Sequence, residues 1–373
     1  MVYLIHSCTF KINNKSLKTQ TRDLKKWVIY GSYGYTGRLI AERAAGLNSN
    51  IVLSGRSEEK LKQQADELGV ACMAADLSDP MEMDNLLNNA NLVIHCAGPF
   101  RYTWEPMLDA CIRNRCHYLD ITGEIEVFEG IKARSDEIDE AKIMAMPGTG
   151  FDVVPTDCLS LFLKKKLPDA DHMELAFMGL GGGVSRGTAL TMADNLGSGG
   201  AVRENGKINP VPAAYKTRTI DFGTKKRTAV TIPWGDVSTA HHTTGIDNIT
   251  VYTAMKPSAI RWLKLSNWFA PLLRLSFVKS LVKKRISKSI TGPDKTSREE
   301  GESYIWGEAS NSKGDTETAR LTTPEGYQLT ALASLLIAQK VDSGEIKLGY
   351  QTPASAYGED LILEIEGTER VGI

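Results

Sequence analysis

From residue 27 to about 146, short apolar runs alternate with segments of helical period. The runs at 27–30, 51–54, 70–74, 91–96, 117–120 and 143–146 have strand length and turn residues at their ends, so they predict strands. The clearest helix between them covers 57–68. Ser57 stands where it can cap the amino end, Glu58 and Glu59 fall in the first turn, and Leu61, Ala65 and Leu68 share one face. Gly69 offers a left-handed stop. Another helix begins at Asp79, with Pro80 in the first position, where a missing N–H is no loss. Repeated strand–helix–strand units require right-handed crossovers and a parallel sheet covered on both faces. The expected fold is therefore α/β, with an N-terminal Rossmann-type doubly wound parallel sheet.

After Pro147 the texture changes. Gly- and Thr-rich stretches at 179–183, 188–200, 218–232 and 241–253 read as strands joined by turns, with helices expected at 154–166 and 326–341. This predicts a second, α+β domain. The expected organisation is a disordered tail over 1–25, a dinucleotide-binding domain over 26–150, and a substrate or interaction domain over 151–373. The carboxyl end of the last can return to the first domain.

Gly31-Ser32-Tyr33-Gly34-Tyr35-Thr36-Gly37 follows the first predicted strand and opens a helix. Such a turn brings backbone N–H groups against a pyrophosphate with no Cβ in the way, and the helix amino terminus meets the anion. The G-x-x-G-x-x-G spacing is weak alone; its strand–turn–helix–strand setting makes it informative. The second strand ends Ser54-Gly55-Arg56-Ser57. An NAD site usually has a carboxylate here for the ribose 2′-hydroxyl, whereas Arg56 beside Ser57 suits a 2′-phosphate. NADP(H) is the expected cofactor. Asp76, after the third strand, is placed to accept from an adenine amino group, and Ala97-Gly98-Pro99, after the fourth, to leave room for the nicotinamide ribose.

Composition narrows the classes further. Hydrophobic residues at 42% and charged residues at 24% describe a folded chain, and a net charge of −1 over 373 residues argues against a nucleic-acid binder. None of the six cysteines forms a C-x-x-C pair, so zinc and disulfide frameworks are not expected and a reducing compartment is. No apolar run nears the roughly 18 residues that span a bilayer, which predicts a cytoplasmic protein, at most peripheral to a membrane. The first 22 residues hold Lys11, Lys15, Lys18 and Arg22 and no acid. A disordered tail is favoured over an organelle transit peptide there, since arginines are few and no amphipathic period shows.

Between Lys256 and Lys288, nine basic residues and no acid are interleaved with Trp262, Leu265, Trp268, Phe269, Leu272, Leu273 and Phe277. This insert, near 256–290, suits an anionic membrane surface or an acidic carrier protein. Two core-packing helices with an ordinary solvated face are the open alternative, and a homo-oligomer is also open.

The stretches GSYGYTGRLIAE, SGRSEEKL, HCAGPF, HYLDITGE and MPGTGFDVVPTDC occur in this order. Together they resemble the saccharopine dehydrogenase-like oxidoreductases, with the nearer likeness to the bacterial trans-acting enoyl reductases. GPDKTSREEGESYIWGE, TPEGYQLTA and GYQTPASAYGEDL extend the resemblance over nearly the whole chain from Lys26. It implies an NADP(H)-dependent oxidoreductase and leaves three chemistries open. These are enoyl reduction on a carrier-borne acyl chain, saccharopine-type C–N bond formation, and a non-catalytic NADP-binding protein attached to a membrane or partner.

Reduction of an enoyl thioester needs donors at the thioester oxygen and a proton for the α-carbon. Tyr118 is the candidate donor, with Asp120 and Glu124 placed to orient a cofactor hydroxyl or the substrate. Equally, Tyr118 can pack in the core while the acids cap the next helix. Tyr102, Phe151 and Asp152 border the expected cleft, as lining or as a hinge, and Arg186, Thr188 and Asn195 are expected to face the nicotinamide. The C–N chemistry would need paired cations, for which Arg186, Arg203 and Arg227 are available. His241 and His242, on an expected strand, would point to opposite faces and cannot share a metal, although one could be catalytic. No metal site is predicted. The GLGGG run at 179–183 lacks the Lys-Ser or Lys-Thr of a phosphate loop and reads as a turn.

Overall fold

The computed structural model describes residues 25–372 apart from Ser49, Gly181 and Gly182. The expected tail and the middle of the 179–183 glycine run lie outside the described residues. The first domain has strands β1 (Lys26–Tyr30), β2 (Ile51–Gly55), β3 (Ala71–Ala74), β4 (Ala90–His95), β5 (His117–Asp120) and β6 (Met144–Met146). They are linked through α1 (Tyr35–Ala44), α2 (Glu58–Leu68), α3 (Pro80–Leu87), α4 (Trp104–Asn114), α5 (Ile125–Ala133) and α6 (Ser135–Ala141). Their spatial order is β3-β2-β1-β4-β5-β6, parallel throughout. Alternate residues enter opposite cores: Trp27, Ile29, Leu92 and Ile94 one, Val28, Tyr30, Val93 and Tyr118 the other. The order reverses between β1 and β4, so ligands are expected above the carboxyl ends of those strands.

The local signals act as their chemistry requires, with one exception. Gly69 closes α2 at φ +66°, and the Asp79 carboxylate accepts from the N–H groups of Met81 and Glu82 ahead of α3. Ser57 stands at the cap position of α2, but its hydroxyl makes no capping bond.

The second domain is built on a nine-stranded sheet. Its strands include β7 (His172–Leu180), β8 (Gly200–Glu204), β9 (Lys207–Val211), β10 (Thr217–Asp221), β11 (Lys226–Thr231), β12 (Asn248–Ala254), β13 (Glu302–Ser310) and β14 (Thr316–Pro324). Pairing is antiparallel except between β12 and β7. The helices α7 (Val154–Lys166), α8 (Arg186–Asp194) and α9 (Asp236–Thr244) are followed by the basic segment. That segment forms α10 (Pro257–Ser266), α11 (Ala270–Leu273) and α12 (Ser276–Ser289), and α13 (Lys295–Glu300) comes next. The chain then crosses back: α14 (Gly326–Ser343) packs on α1 and β4, and β15 (Gly349–Tyr350) adds a seventh parallel strand beside β6. After α15 (Pro353–Tyr357), β16 (Glu369–Gly372) joins the second sheet beside β14.

Two expected strand regions are helical instead. Residues 188–194 lie in α8 and 241–244 in α9. Ser185 caps α8 by accepting from the Thr188 N–H, and Gly245 ends α9 at φ +71°. Their threonines favour strands by propensity, but burial of Ala189 and Ala193 in α8, and of Val237 and Ala240 in α9, decides the matter. His241 and His242 are therefore helical neighbours. His241 Nδ1 lies 2.9 Å from the Ile246 carbonyl, while His242 sits edge-on to the Tyr350 ring at 4.8 Å.

Gly37 marks how tightly α1 is seated, since a Cβ there would lie 2.3 Å from the Gly31 carbonyl oxygen. Gly37→Ala is expected to cost about 1–3 kcal/mol through overpacking. The check is a lowered urea midpoint at unchanged slope; an unmoved midpoint would contradict this packing.

Candidate functional site

The turn after β1 is a bare-backbone junction. Gly31 (φ +80°) abuts the β4 end so closely that a Cβ would lie 2.8 Å from the Ala97 nitrogen. The Gly31 and Ser32 N–H groups both donate to the Ser54 carbonyl, at 2.8 and 3.2 Å. The buried Ser32 hydroxyl donates to Gln64 Oε1 at 2.9 Å, and Gln64 Nε2 returns a bond to the Ser32 carbonyl at 3.0 Å. Ser32 thus braces the turn from behind, and its side chain is withdrawn from the ligand face. Ahead of α1, Gly34 brings no capping side chain, and the first turn has no acid. The N–H groups of Tyr35, Thr36 and Gly37 have no acceptor among the described residues. Three aligned donors and a positive helix end fit a pyrophosphate.

At the β2 end, Gly55 leaves space for the Tyr33 ring, which a Cβ would approach to 2.7 Å. The Tyr33 hydroxyl accepts from the N–H groups of Arg56 and Ser57 at 3.1 and 3.2 Å. Arg56 is exposed, the Ser57 hydroxyl makes no cap bond, and the Lys60 ammonium lies 5.6 Å from the Tyr33 ring centre. Two cations and a hydroxyl at this edge fit a phosphomonoester. Lys60 is not among the residues expected from sequence; its place four positions after Arg56, on α2, is the signal that could have found it. Asp76 Oδ1 accepts from the Ser78 N–H and hydroxyl, which hold its carboxyl below the ordinary range, with Arg56 adding to the effect.

The expected catalytic trio takes a different form. Tyr118 is fully buried, and its hydroxyl donates to Asp120 Oδ2 at 2.6 Å. Asp120 Oδ1 accepts from the N–H groups of Thr122 and Gly148, at 2.9 and 2.8 Å. Burial raises the Asp120 carboxyl to about 6 despite these three donors. Burial, reinforced by Asp120, drives the Tyr118 phenol well above its ordinary value. A phenol so enclosed and partnered reaches no substrate, so Tyr118 and Asp120 form a structural brace between β5 and the β6 end. Glu124 anchors the loop after β4. It accepts from the Phe100 N–H at 2.8 Å, the Arg101 N–H at 3.3 Å and Arg101 Nε at 3.2 Å. That loop carries Ala97, Gly98 and Pro99, so Glu124 shapes the site at one remove.

The second-domain candidates are also engaged. Asn195 Oδ1 accepts from Arg101 Nη2 at 2.7 Å, a bond between the domains. The Thr188 hydroxyl lies 3.0 Å from the Tyr327 hydroxyl, and Arg186 Nε donates to the Ile290 carbonyl. Arg203 is buried on the Val237 and Gly206 carbonyls and Glu129. Arg227 is exposed on β11, and Tyr102 is exposed. A cavity of about 490 Å³ opens on the second sheet between Glu174, Lys216, Arg218 and Glu308. No residue of the glycine turn lines it.

Asp152, expected only to border the cleft, carries a half-buried, unpartnered carboxyl. Its carboxyl makes no hydrogen bond among the described residues and lies over Gly123, where a Cβ would come within 2.6 Å of Oδ2. Burial, then the Glu124 charge, raises it from 3.8 to about 7. Trp234 Nε1 fixes the backbone by donating to the Asp152 carbonyl at 2.9 Å. Phe151 meets Phe177 at 5.9 Å, and Phe177 meets Trp234 at 4.8 Å, forming a half-buried aromatic wall beside the carboxyl. The sequence signal was its position just past the β6 end, the strand edge where ligands gather.

Residues 27–146 match the Saccharopine dehydrogenase NADP binding domain. Over 160 residues it is 31% identical to the mouse saccharopine dehydrogenase-like oxidoreductase, covering 38% of this chain and 37% of that one. Over 157 residues it is 27% identical to a trans-acting enoyl reductase of Mycobacterium ulcerans, covering 40% and 38%. The matches thus span well under half the length of these relatives. The fold is that of saccharopine dehydrogenase (L-Glu forming) from Saccharomyces cerevisiae, with a TM-score of 0.64 at 14% identity over 94% of this chain and all of the other.

Two stability measurements follow. Because the Asp152 pKa is raised on folding, its contribution is fully present below its unfolded value and is lost as pH rises through about 7. Asp152→Asn should therefore leave stability unchanged near pH 4 and raise it at about pH 8 by ~1–3 kcal/mol, the full shift being discounted for partial exposure. A variant equally or less stable at the higher pH would contradict the raised pKa. Tyr118→Phe should cost about 1–2 kcal/mol in urea unfolding with dinucleotide affinity unchanged; a loss of turnover without loss of stability would restore it as a catalytic residue.

Proposed function

We propose that the chain is an NADP(H)-dependent oxidoreductase that reduces an acyl or similar lipid-like substrate in the cleft beside Asp152. The observation that carries this reading is the Asp152 carboxyl, which lies over Gly123 without a hydrogen bond among the described residues, is raised to about 7 by burial and Glu124, and stands with an aromatic cluster past the β6 end. The cofactor preference is supported by Arg56, Ser57 and Lys60 at the β2 end, two cations and a hydroxyl that suit a 2′-phosphate.

The turn from Gly31 to Gly37, with Arg56, Ser57 and Lys60, would hold the dinucleotide, and its nicotinamide would supply hydride for the β-carbon of an enoyl thioester. Asp152 holds the matching proton at its carboxyl and delivers it to the α-carbon; the carboxylate left behind is reprotonated from water. Phe151, Phe177 and Trp234 keep water from the apolar end of the substrate and bury part of its chain. Burial first, and then the neighbouring Glu124, raises the Asp152 carboxyl and favours its protonated form. The name of the Mycobacterium relative agrees with this chemistry. C–N bond formation is not favoured, because Arg186, Arg203 and Arg227 lie on separate elements and Arg203 is consumed by backbone carbonyls.

The test is NADPH oxidation against enoyl thioesters, free and carrier-bound, beside an aldehyde paired with glutamate. Turnover on the thioesters is expected, with Asp152→Asn lowering kcat by roughly 10²–10⁴-fold at unchanged NADPH affinity. Turnover with the aldehyde and amine alone would move the chain to C–N chemistry, and tight NADPH binding without turnover would make it a binding protein. Separately, Arg56→Ala should weaken NADPH by about 1–3 kcal/mol and leave NADH nearly unaffected. Equal losses would sink the NADP preference.

A further inference from the structure

The basic segment does not pack as two core helices. Among its large apolar side chains only Ile260 is buried, seated with Leu263 against Ala214 and Val230. Seventeen large hydrophobic side chains are exposed among the described residues, and eight of them fall between Trp262 and Leu281. Four protrude strongly: Trp268 is 84% exposed, Trp262 72%, Leu281 69% and Phe277 65%. Such a concentration marks a surface that is covered in use.

The segment is nevertheless held firmly. Asn267 exchanges two hydrogen bonds with the Ala213 backbone, both at 2.9 Å. Arg274 Nε donates to the Gly197 carbonyl at 2.8 Å, and Lys279 Nζ to the Asp194 carbonyl at 2.5 Å. Lys283 forms an ion pair with Asp194. These bonds tie α12 to α8, whose last turn leads into Asn195, the partner of Arg101 on the cleft rim. Trp262, Trp268 and Phe277 are thus presented on a fixed platform beside the cleft.

We propose that the segment from Lys256 to Lys288 docks on an anionic lipid bilayer surface, with Trp262, Trp268, Phe269, Leu272, Phe277 and Leu281 entering the interface. Three of its nine cations, Arg274, Lys279 and Lys283, bind Gly197 and Asp194; the other six, with the absence of acids, complement anionic headgroups. Two exposed tryptophans among leucines and phenylalanines are the side chains that settle at the headgroup–acyl boundary. An acidic protein partner would be met by the same charge, but it would leave so many bulky apolar tips to be matched one by one in complementary pockets. A fluid interface accepts them without such a match. No helix among the described residues is long and apolar enough to cross a membrane, so contact is by docking. Apolar substrate dissolved in that surface would then reach the cleft rim without crossing water. The docking claim stands apart from the hydride-transfer reading, since it concerns residues outside the cleft.

The test uses the full chain with extruded vesicles of phosphatidylcholine alone, or mixed with phosphatidylserine, in a flotation assay. Binding to the mixed vesicles, with a blue shift in tryptophan emission and weakening by added salt, is expected. Lys284→Glu with Arg285→Glu should lower partitioning by on the order of tenfold or more, given the electrostatic contribution of each cation. Trp268→Ser with Phe269→Ser should reduce partitioning and abolish the emission shift. Both variants should keep wild-type circular dichroism and dinucleotide affinity, which separates lost docking from lost folding. Failure to float with anionic vesicles, or undiminished flotation of a folded Trp268→Ser, Phe269→Ser variant, would overturn the proposal. So would binding to an acidic protein by a chain that ignores vesicles. Loss of enoyl turnover alone would leave it standing.

Discussion

The site rests on the junction where Gly31 turns out of β1 against the β4 end and under Gly37. No side chain can occupy that space, as the 2.3 Å and 2.8 Å approaches of a hypothetical Cβ demonstrate. Because the turn is bare, α1 starts without a capping side chain and presents donors that have no acceptor among the described residues. Isolated, that would be a cost to stability; above the carboxyl edge of a parallel sheet it is a ready anion site. The Ser32–Gln64 pair, the Ser54 carbonyl and the returning α14 hold the turn in place. Closure also comes from far along the sequence: the Tyr35 hydroxyl donates to the Pro293 carbonyl at 2.6 Å, and Arg298 donates back to that hydroxyl at 3.0 Å.

Where the two domains meet the protein gathers carboxyls, and burial separates their roles. Glu124 is committed to the N–H groups after β4, and Asp120 to its phenol and two backbone donors. Asp157 accepts from the Thr243 hydroxyl and the Ala354 N–H, knitting α7 to α9 and α15, while Asp236 accepts from Thr156. Asp152 alone in this group lies beside the cleft without a hydrogen-bond donor for its carboxyl, close enough to Glu124 for like-charge repulsion to add to burial. A carboxyl left unpartnered by its own structure is available to a ligand. The same contrast separates Tyr118, whose hydroxyl is spoken for, from any proton-donor role.

Much of this was legible before any coordinates. The six short runs, Asp79 before Pro80, and the glycines of the β1 turn carry local physics that tertiary packing had no reason to override. Composition misled at α8 and α9, where threonine-rich stretches became helices because each buries an alanine-bearing face. Tyr118 showed the limit of position alone: the right strand end pointed to it, but alternation along β5 sends its side chain into the core. Asp152 could not be ranked from sequence, because its raised pKa depends on burial and on Glu124, which only the folded chain brings to it. The fate of the basic segment likewise depended on what it packs against, which periodicity does not report.

The most direct measurement is a crystal structure with NADP⁺ bound. The pyrophosphate should lie against the N–H groups of Tyr35 and Thr36, the 2′-phosphate within reach of Arg56, Ser57 or Lys60, and the nicotinamide on the Asp152 side of the Ala97–Gly98–Pro99 loop. A dinucleotide bound elsewhere, such as in the cavity beside Glu174 and Arg218, would contradict the assignment of the glycine turn. So would one seated in the turn with its nicotinamide directed away from Asp152.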